Sequence, residues 1–87
     1  MADAEDTAIA VLVWLAGEPE LMGRFLALTG LEASNLREAA KEQGFLAGVL
    51  GFLMSHEPTL LDFCAATNTR PETISRAFRA LGGSSEA

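Results

Sequence analysis

The stretch that most constrains the fold is residues 45–54, which contains no charged or strongly polar side chain. Its apolar residues do not alternate with polar ones, so the pattern predicts a helix that is apolar on every side rather than a half-buried strand. Such a helix has to be surrounded by protein or lipid. Ten residues of helix cover about 15 Å, half of a bilayer's roughly 30 Å hydrocarbon core, which disfavours a membrane span. We therefore expect the central helix of a small soluble helical domain.

Two glycines, Gly48 and Gly51, lie inside this central helix. Each costs about 1 kcal/mol relative to alanine in a helix interior. We expect neighbouring helices to cross at close range there, since a missing side chain permits a close approach.

Composition indicates one domain built of helices. The chain has 87 residues, which leaves no room for a second core, and 49% of them are hydrophobic. Few β-branched residues occur in alternation, so a sheet is disfavoured. The fold class predicted is all-α: a compact bundle of five or six short helices, with two tandem three-helix repeats as one form that it can take.

Charge and cysteine content bound the partners and the compartment. The net charge of −6 disfavours general binding to nucleic acid or to an anionic membrane. Cys64 is the single cysteine, which precludes an intramolecular disulfide and favours a reducing compartment. Acids rather than bases precede the apolar run 8–16, unlike in a secretory signal. We expect a cytoplasmic protein.

Prolines, glycines and one asparagine punctuate the chain into helices. The first is predicted to begin at an Asp3 cap, to end near Ala16 and to be followed by Gly17. The Glu-Pro pairs at 18–19 and 57–58 are predicted to begin the second and fifth helices, and Pro71 is predicted to begin the last one. The other predicted elements are a second helix ending at Gly30, a third over about 33–42 with Gly44 ending the unit, a fourth over 45–54, a fifth ending at Asn68, a sixth stopping at Gly82 and Gly83, and a loose tail 84–87.

Apolar spacing predicts which faces enter the core. In the last helix the apolar residues recur at i, i+3, i+4 and i+7, which marks a single buried face. The residues expected on these apolar faces are Ile9, Leu12, Val13 and Ala16 with Val11, Trp14 and Leu15 beside them in the first helix; Leu21, Met22, Phe25, Leu26 and Leu28 in the second; Leu36, Ala39 and Ala40 in the third; and Ile74, Ala77, Phe78 and Leu81 in the last.

The two halves of the chain match at an offset of 38 residues, which pairs Val11 with Val49, Leu15 with Leu53 and Phe25 with Phe63. With one inserted residue the two Glu-Pro pairs also align, and Gly30 and Asn68, which are predicted to end helices, correspond at the same offset of 38. The pattern predicts a duplication of residues 5–42 and 44–81.

Several segments give the chain a family resemblance. They are the end of the first helix at 14–16, residues 24–31, 36–37 and 45–47, Glu57, and the run from Pro71 through Arg79 to Gly82. On these residues the chain resembles an uncharacterised bacterial family of small all-helical proteins, classed as a domain of unknown function. The resemblance implies an all-helical fold over nearly the whole chain, and it implies no activity, ligand or catalytic residue.

The sharpest functional pattern is typical of a helix-turn-helix and covers residues 58–82. Cys64 is a small residue at the expected crossing, Asn68 suits the turn, and Ile74 and Ala77 hold the second helix down. The DNA-binding candidates are then Arg70, Thr73, Ser75, Arg76 and Arg79. The alternative is a structural helical hairpin with a solvated face, which the acids Glu57, Asp62 and Glu72 nearby favour.

Catalytic and metal-binding chemistry have little support in the sequence. His56 and Cys64 suggest a thiol dyad, but a loop histidine and an inert core thiol explain them more simply. One histidine, one cysteine and scattered carboxylates do not make a metal site, and no phosphate loop, nucleophile elbow or cofactor motif is present. We expect no catalytic residue, no cofactor and no metal, and a non-enzymatic protein.

Surplus hydrophobicity leaves protein contact as the first functional hypothesis. Two strongly apolar helices in so short a chain favour an exposed patch that an unknown protein partner or a second copy covers. The candidate interface is Ile9, Val13 and Trp14 of the first helix, with the glycine-containing central helix as another. DNA binding is the second hypothesis, and a carrier of small apolar ligands, which needs a cavity between the repeats, is the third.

Overall fold

A computed structural model of the protein describes residues 4–82, apart from the side chain of Gln43. Its helices form an all-α bundle and begin and end close to the predicted residues. The elements are α1 (Ala4–Ala16), α2 (Pro19–Thr29), a 3₁₀ turn (Ala33–Asn35) leading into α3 (Leu36–Ala39), α4 (Gln43–Met54), α5 (Glu57–Thr67) and α6 (Pro71–Ala80). The all-α fold class is confirmed. The predicted Asp3 cap, Gly83 and the tail 84–87 lie outside the described residues.

The turn residues act as predicted. Pro19, Pro58 and Pro71 each occupy the first turn of a helix, where a missing backbone N–H costs nothing. Gly30 and Asn68 end α2 and α5 in the left-handed conformation, with φ of 75° and 57°. Glycine and asparagine are the residues that adopt this conformation most readily.

The apolar helix α4 lies at the centre, as predicted, and packs against α1, α5 and α6. Helix α1 also packs against α2 and α6, so α1, α4 and α6 form the main layer of the core. The buried apolar residues are Ala8, Val11, Leu15, Phe25, Leu46, Ala47, Val49, Leu50, Leu53, Phe63, Cys64, Ile74, Ala77 and Leu81.

The third predicted helix is wrong in length and form. Instead of one helix over 33–42, the chain forms a 3₁₀ turn and a single turn of α3. The Asn35 carboxamide accepts a hydrogen bond from the Glu32 backbone N–H at 3.4 Å and closes the 3₁₀ turn locally. Gly44 does not end this unit but lies in the first turn of α4. Leu36, Ala39 and Ala40 are half-buried rather than fully buried.

The predicted core face of α1 is right for Val11 and Leu15 and wrong for Ile9, Val13 and Ala16. The helix buries Ala8, Val11 and Leu15, whereas Val13 is 66% exposed and Ile9 43%. The sequence 8–16 is apolar all round and therefore carries no signal of which side faces the core. In α2, Leu28 is 71% exposed because it lies past the end of the buried face at Phe25.

Gly48 and Gly51, the two glycines in the interior of α4, differ. A Cβ at Gly51 would lie 3.2 Å from Phe78 Cε1, so α6 does approach closely there, as predicted. A Cβ at Gly48 would meet nothing within 4 Å, and the predicted close crossing at Gly48 is wrong for the folded chain. Only Gly51 is required by packing.

We expect Gly48→Ala to raise the free energy of unfolding by about 0.5–1 kcal/mol, because alanine loses less backbone entropy in a helix. Gly51→Ala is the matched control, and it should gain less or be destabilised because its Cβ displaces the Phe78 ring. Urea unfolding of both variants measures the difference. Equal gains at the two sites would contradict the close packing of α6 on Gly51.

Corresponding details in the two halves support the predicted duplication, which stays a prediction. The Thr29 hydroxyl donates to the Phe25 carbonyl at 3.0 Å, and the Thr67 hydroxyl donates to the Phe63 carbonyl at 2.8 Å. Edge-to-face contacts join Trp14 to Phe63 at 5.5 Å and Phe25 to Phe52 at 5.2 Å. The offset of 38 residues exchanges these two pairs. The halves differ most in their last helices, because α6 packs on α1 and α4 whereas α3 is one turn long.

Candidate functional site

The outer side of α6 carries the exposed charges of the proposed helix-turn-helix. Ile74, Ala77 and Leu81 face the core, so the opposite side of the helix presents Arg76 and Arg79 to solvent. Glu72 lies on the same side, one turn before Arg76. Within residues 4–82, no carboxylate lies at ion-pair distance from these two guanidinium groups. The exposed face is thus mixed in charge with a basic excess.

The other DNA-binding candidates do not all join this face. Arg70 is exposed just before α6, but Thr73 and Ser75 are half-buried on its sides. Thr73 lines a cleft with Asp6 of α1, so the first turn of α6 lies beside a carboxylate. A DNA-reading helix usually presents its N-terminal residues to base edges. The structure exposes Arg76 and Arg79 together, whereas Thr73 and Ser75 beside them are half-buried.

The cleft between α1 and the start of α6 has a volume of about 290 Å³ and is open to solvent. Asp6, Thr7, Ala10, Phe63, Thr69 and Thr73 line it. Four of these side chains are polar. A carrier of apolar ligands needs an enclosed cavity, and this cleft is open.

His56 is tied to the start of α5. It is the N-cap residue, and one ring nitrogen, Nδ1, lies 2.7 Å from the Thr59 hydroxyl oxygen. Thr59 is a polar residue buried in the core, so this hydrogen bond satisfies its hydroxyl group. His56 therefore has a local structural partner.

Cys64 has the surroundings of an inert thiol. It is 8% exposed, and burial, followed by the negative charge of Glu72, raises the pKa of its thiol. A nucleophilic cysteine needs the opposite shift. Among residues 4–82 no group of three or more His, Cys, Asp or Glu side chains is arranged to hold a metal ion.

The outer face of α1 is the other exposed feature. We use this name for the exposed apolar residues of the helix that point away from the core: Ile9, Ala10, Val13 and Ala16. Trp14, the third interface candidate, is half-buried against Phe63 and lies on a different side of α1 from Ile9 and Val13. The outer face thus contains two of the three predicted interface residues.

The family model for a protein of unknown function, DUF3572, matches residues 1–84. The chain belongs to this family. Comparison with curated proteins finds no match, and comparison with solved structures finds none either. Over its described residues, this DUF3572 chain has no helix long and apolar enough to cross a membrane.

Sequence reasoning missed the cleft of this DUF3572 domain. Asp6 and Thr7 come from the first helix, whereas Thr69 and Thr73 lie more than sixty residues later. No local pattern links them, because only the packing of α6 on α1 brings them together. The Thr-rich run 67–73 was the one signal that hydroxyl groups gather near this turn.

We expect Cys64 of the folded DUF3572 protein to react with a disulfide reagent at pH 8 about tenfold or more slowly than in urea. A raised pKa leaves less thiolate at a given pH, and burial limits access. Glu72→Gln should speed the reaction, because loss of the negative charge lowers the pKa of the thiol. A folded-state rate equal to the rate in urea would instead favour an activated thiol.

Proposed function

We propose that this DUF3572 protein is a non-enzymatic, cytoplasmic helical protein that acts through protein contacts, and that the outer face of α1 makes them. One observation carries the proposal: α1 is apolar all round over residues 8–16, yet its outer face is open. A helix of this kind normally has every side covered. An apolar surface that its own chain leaves uncovered is typical of an interaction site.

The burial pattern adds to this support. Val13 and Ile9 lie one turn apart on the same side of α1, so their side chains form a continuous strip. Among the described residues the other large exposed apolar side chains are Leu28 on α2 and Leu61 on α5, and neither has a second one a turn away on its own helix. Single exposed apolar residues are common and need no partner. The strip on α1 is the feature that needs one.

Site-specific photo-cross-linking tests this proposal. A benzophenone amino acid is placed at Val13, or at Leu28 as the matched control, in cells that naturally make the protein. We expect discrete adducts at Val13 that are absent at Leu28 and are lost on Ile9→Gln in the same chain. Adducts at twice the protein's mass would identify a second copy as the partner. Identical patterns at the two positions would contradict a contact through α1.

DNA binding through α5 and α6 is the second candidate. Its support is the left-handed turn at Asn68 and the exposed pair Arg76 and Arg79. Against it stand Glu72 on the same face, Asp6 beside the first turn and the net charge of −6. Titration into labelled random-sequence duplex at low salt, followed by anisotropy, separates the two functions. Binding that weakens steeply with salt and disappears with Arg76→Glu would favour DNA binding over contact through α1.

A further inference from the structure

The second half of the chain contains its own counterpart of the outer face of α1. The offset that pairs Val11 with Val49 pairs Ile9 with Ala47 and Val13 with Gly51. Ala47 is buried, and Gly51 lies under the ring of Phe78 from α6. On α4, therefore, the counterparts of Ile9 and Val13 are both covered, the second of them by the amphipathic helix α6.

The first half lacks a helix able to do the same. The counterpart of α6 is the 3₁₀ turn and α3, in which Leu36 corresponds to Ile74 and Ala40 to Phe78. Helix α3 is a single turn with no fully buried residue, and a methyl group stands where α6 has an aromatic ring. No helix of the first half therefore packs on the outer face of α1. This explains why Val13 is exposed while its counterpart Gly51 is covered.

The charged residues around α1 indicate what kind of helix binds its outer face. Residues 1–23 contain Asp3, Glu5, Asp6, Glu18 and Glu20 and no basic residue. Glu5 and Asp6 lie one turn before Ile9 and Ala10, and Glu18 follows the C-terminal end of α1, whose dipole is also negative. A second copy docked by its own α1 would bring these acids together in either orientation, which is unfavourable.

We propose that the outer face of α1 binds an amphipathic helix of a partner protein that resembles α6, with an apolar side and flanking Lys or Arg side chains. This inference rests on the proposed function, since it names the partner for the same surface. The apolar side packs on Ile9 and Val13, at a greater distance than Phe78 keeps from Gly51 because valine has a side chain there, and basic residues at the ends of the partner helix face the acidic ends of α1. Helix α6 itself provides a test helix that combines an apolar side with three arginines. Arg70 stands at its N-terminal end, whereas Arg76 and Arg79 lie opposite the apolar side and attract the acids of α1 only at longer range.

The test uses the full-length protein labelled with ¹⁵N and a synthetic peptide of residues 69–82. A second peptide carries Glu in place of the three arginines, and a third carries Gln in place of Ile74 and Phe78. We expect the first peptide to shift the amide resonances of residues 5–18 with saturation. The Glu peptide should bind about tenfold more weakly at low salt, a difference of ~1.4 kcal/mol that shrinks as salt screens the charges. The Gln peptide should not bind.

Two matched variants locate the site. Val13→Gln should weaken binding about tenfold, because it places a polar group in the apolar contact, whereas Leu28→Gln should leave binding unchanged. Both residues are exposed, so neither change should unfold the protein. Shifts centred on Gly51 would mean that the peptide displaces the chain's own α6, which would overturn the proposal.

The remaining outcomes separate this inference from the proposed function. Equal affinity for the Arg and Glu peptides, or self-association of the free protein through Val13, would reject a basic helix as the partner. Neither result would contradict contact through α1. Absence of peptide binding at millimolar concentration, together with Val13 cross-links in cells, would likewise reject the basic helix as the partner and keep the contact through α1. Absence of both would reject the proposed function as well.

Discussion

Phe25→Ala should lower the free energy of unfolding by about 3–5 kcal/mol, which is a large share of the 5–15 kcal/mol typical of a small domain. Phe25 is 1% exposed and makes edge-to-face contacts with Phe45 at 5.6 Å and Phe52 at 5.2 Å. Removing the ring leaves a cavity between α2 and α4 and ends both aromatic contacts. Urea unfolding followed by the fluorescence of Trp14, the single tryptophan, measures the loss.

Leu28→Ala is the matched control on the same helix. Leu28 lies one turn beyond Phe25 but is 71% exposed, so its truncation should change the free energy of unfolding by no more than about 0.5 kcal/mol. A cost for Phe25→Ala below about 1 kcal/mol, or similar costs at the two positions, would contradict the packing of α2 against α4.

Ile74→Ala should destabilise the protein by about 2–5 kcal/mol, the range for truncating a buried isoleucine. Ile74 is fully buried on α6, which packs against both α1 and α4. Arg76→Ala, on the exposed side of the same helix, should have an effect within about 0.5 kcal/mol. Thermal and urea unfolding of the two variants provide the comparison. A small effect of Ile74→Ala would mean that α6 is only loosely attached to the core.

Most helix ends of this chain can be predicted because single residues determine them. Pro19, Pro58 and Pro71 begin helices for steric reasons, and Gly30 and Asn68 end them by adopting positive φ. The core face of α6 is equally predictable, because its apolar and polar residues segregate at helical spacing. Local chemistry is sufficient in these cases.

Sidedness and packing are what the sequence did not determine. Helix α1 has no polar side over residues 8–16, so only its tertiary contacts select Val11 and Leu15 for the core instead of Ile9 and Val13. The same holds for Gly48 and Gly51, which look alike in sequence and differ only because Phe78 lies against one of them. The third helix differs from its prediction because the Asn35 side chain closes a 3₁₀ turn at its start and the α-helix ends at Ala39.

The candidate sites were predicted unevenly for the same reason. Ile9 and Val13 were proposed as interface residues from surplus hydrophobicity, and their exposure agrees with that role. Of the arginines, Arg76 and Arg79 were correctly assigned to the exposed side of α6, because the periodic spacing of Ile74, Ala77 and Leu81 defines the opposite side. Thr73 is half-buried and lines the cleft with residues of α1, which the spacing within α6 does not reveal.

Protection of the outer face of α1 inside cells is the most direct test of the proposed contact. Val13→Cys is labelled with N-ethylmaleimide in the purified protein and in intact cells that naturally make it, with Leu28→Cys as the control; the native thiol of Cys64 is buried and adds little background. We predict fast labelling at position 13 in the purified protein and slow labelling in cells, with equal rates at position 28. Equally fast labelling at position 13 in both settings would show an uncovered face and contradict the proposed contact.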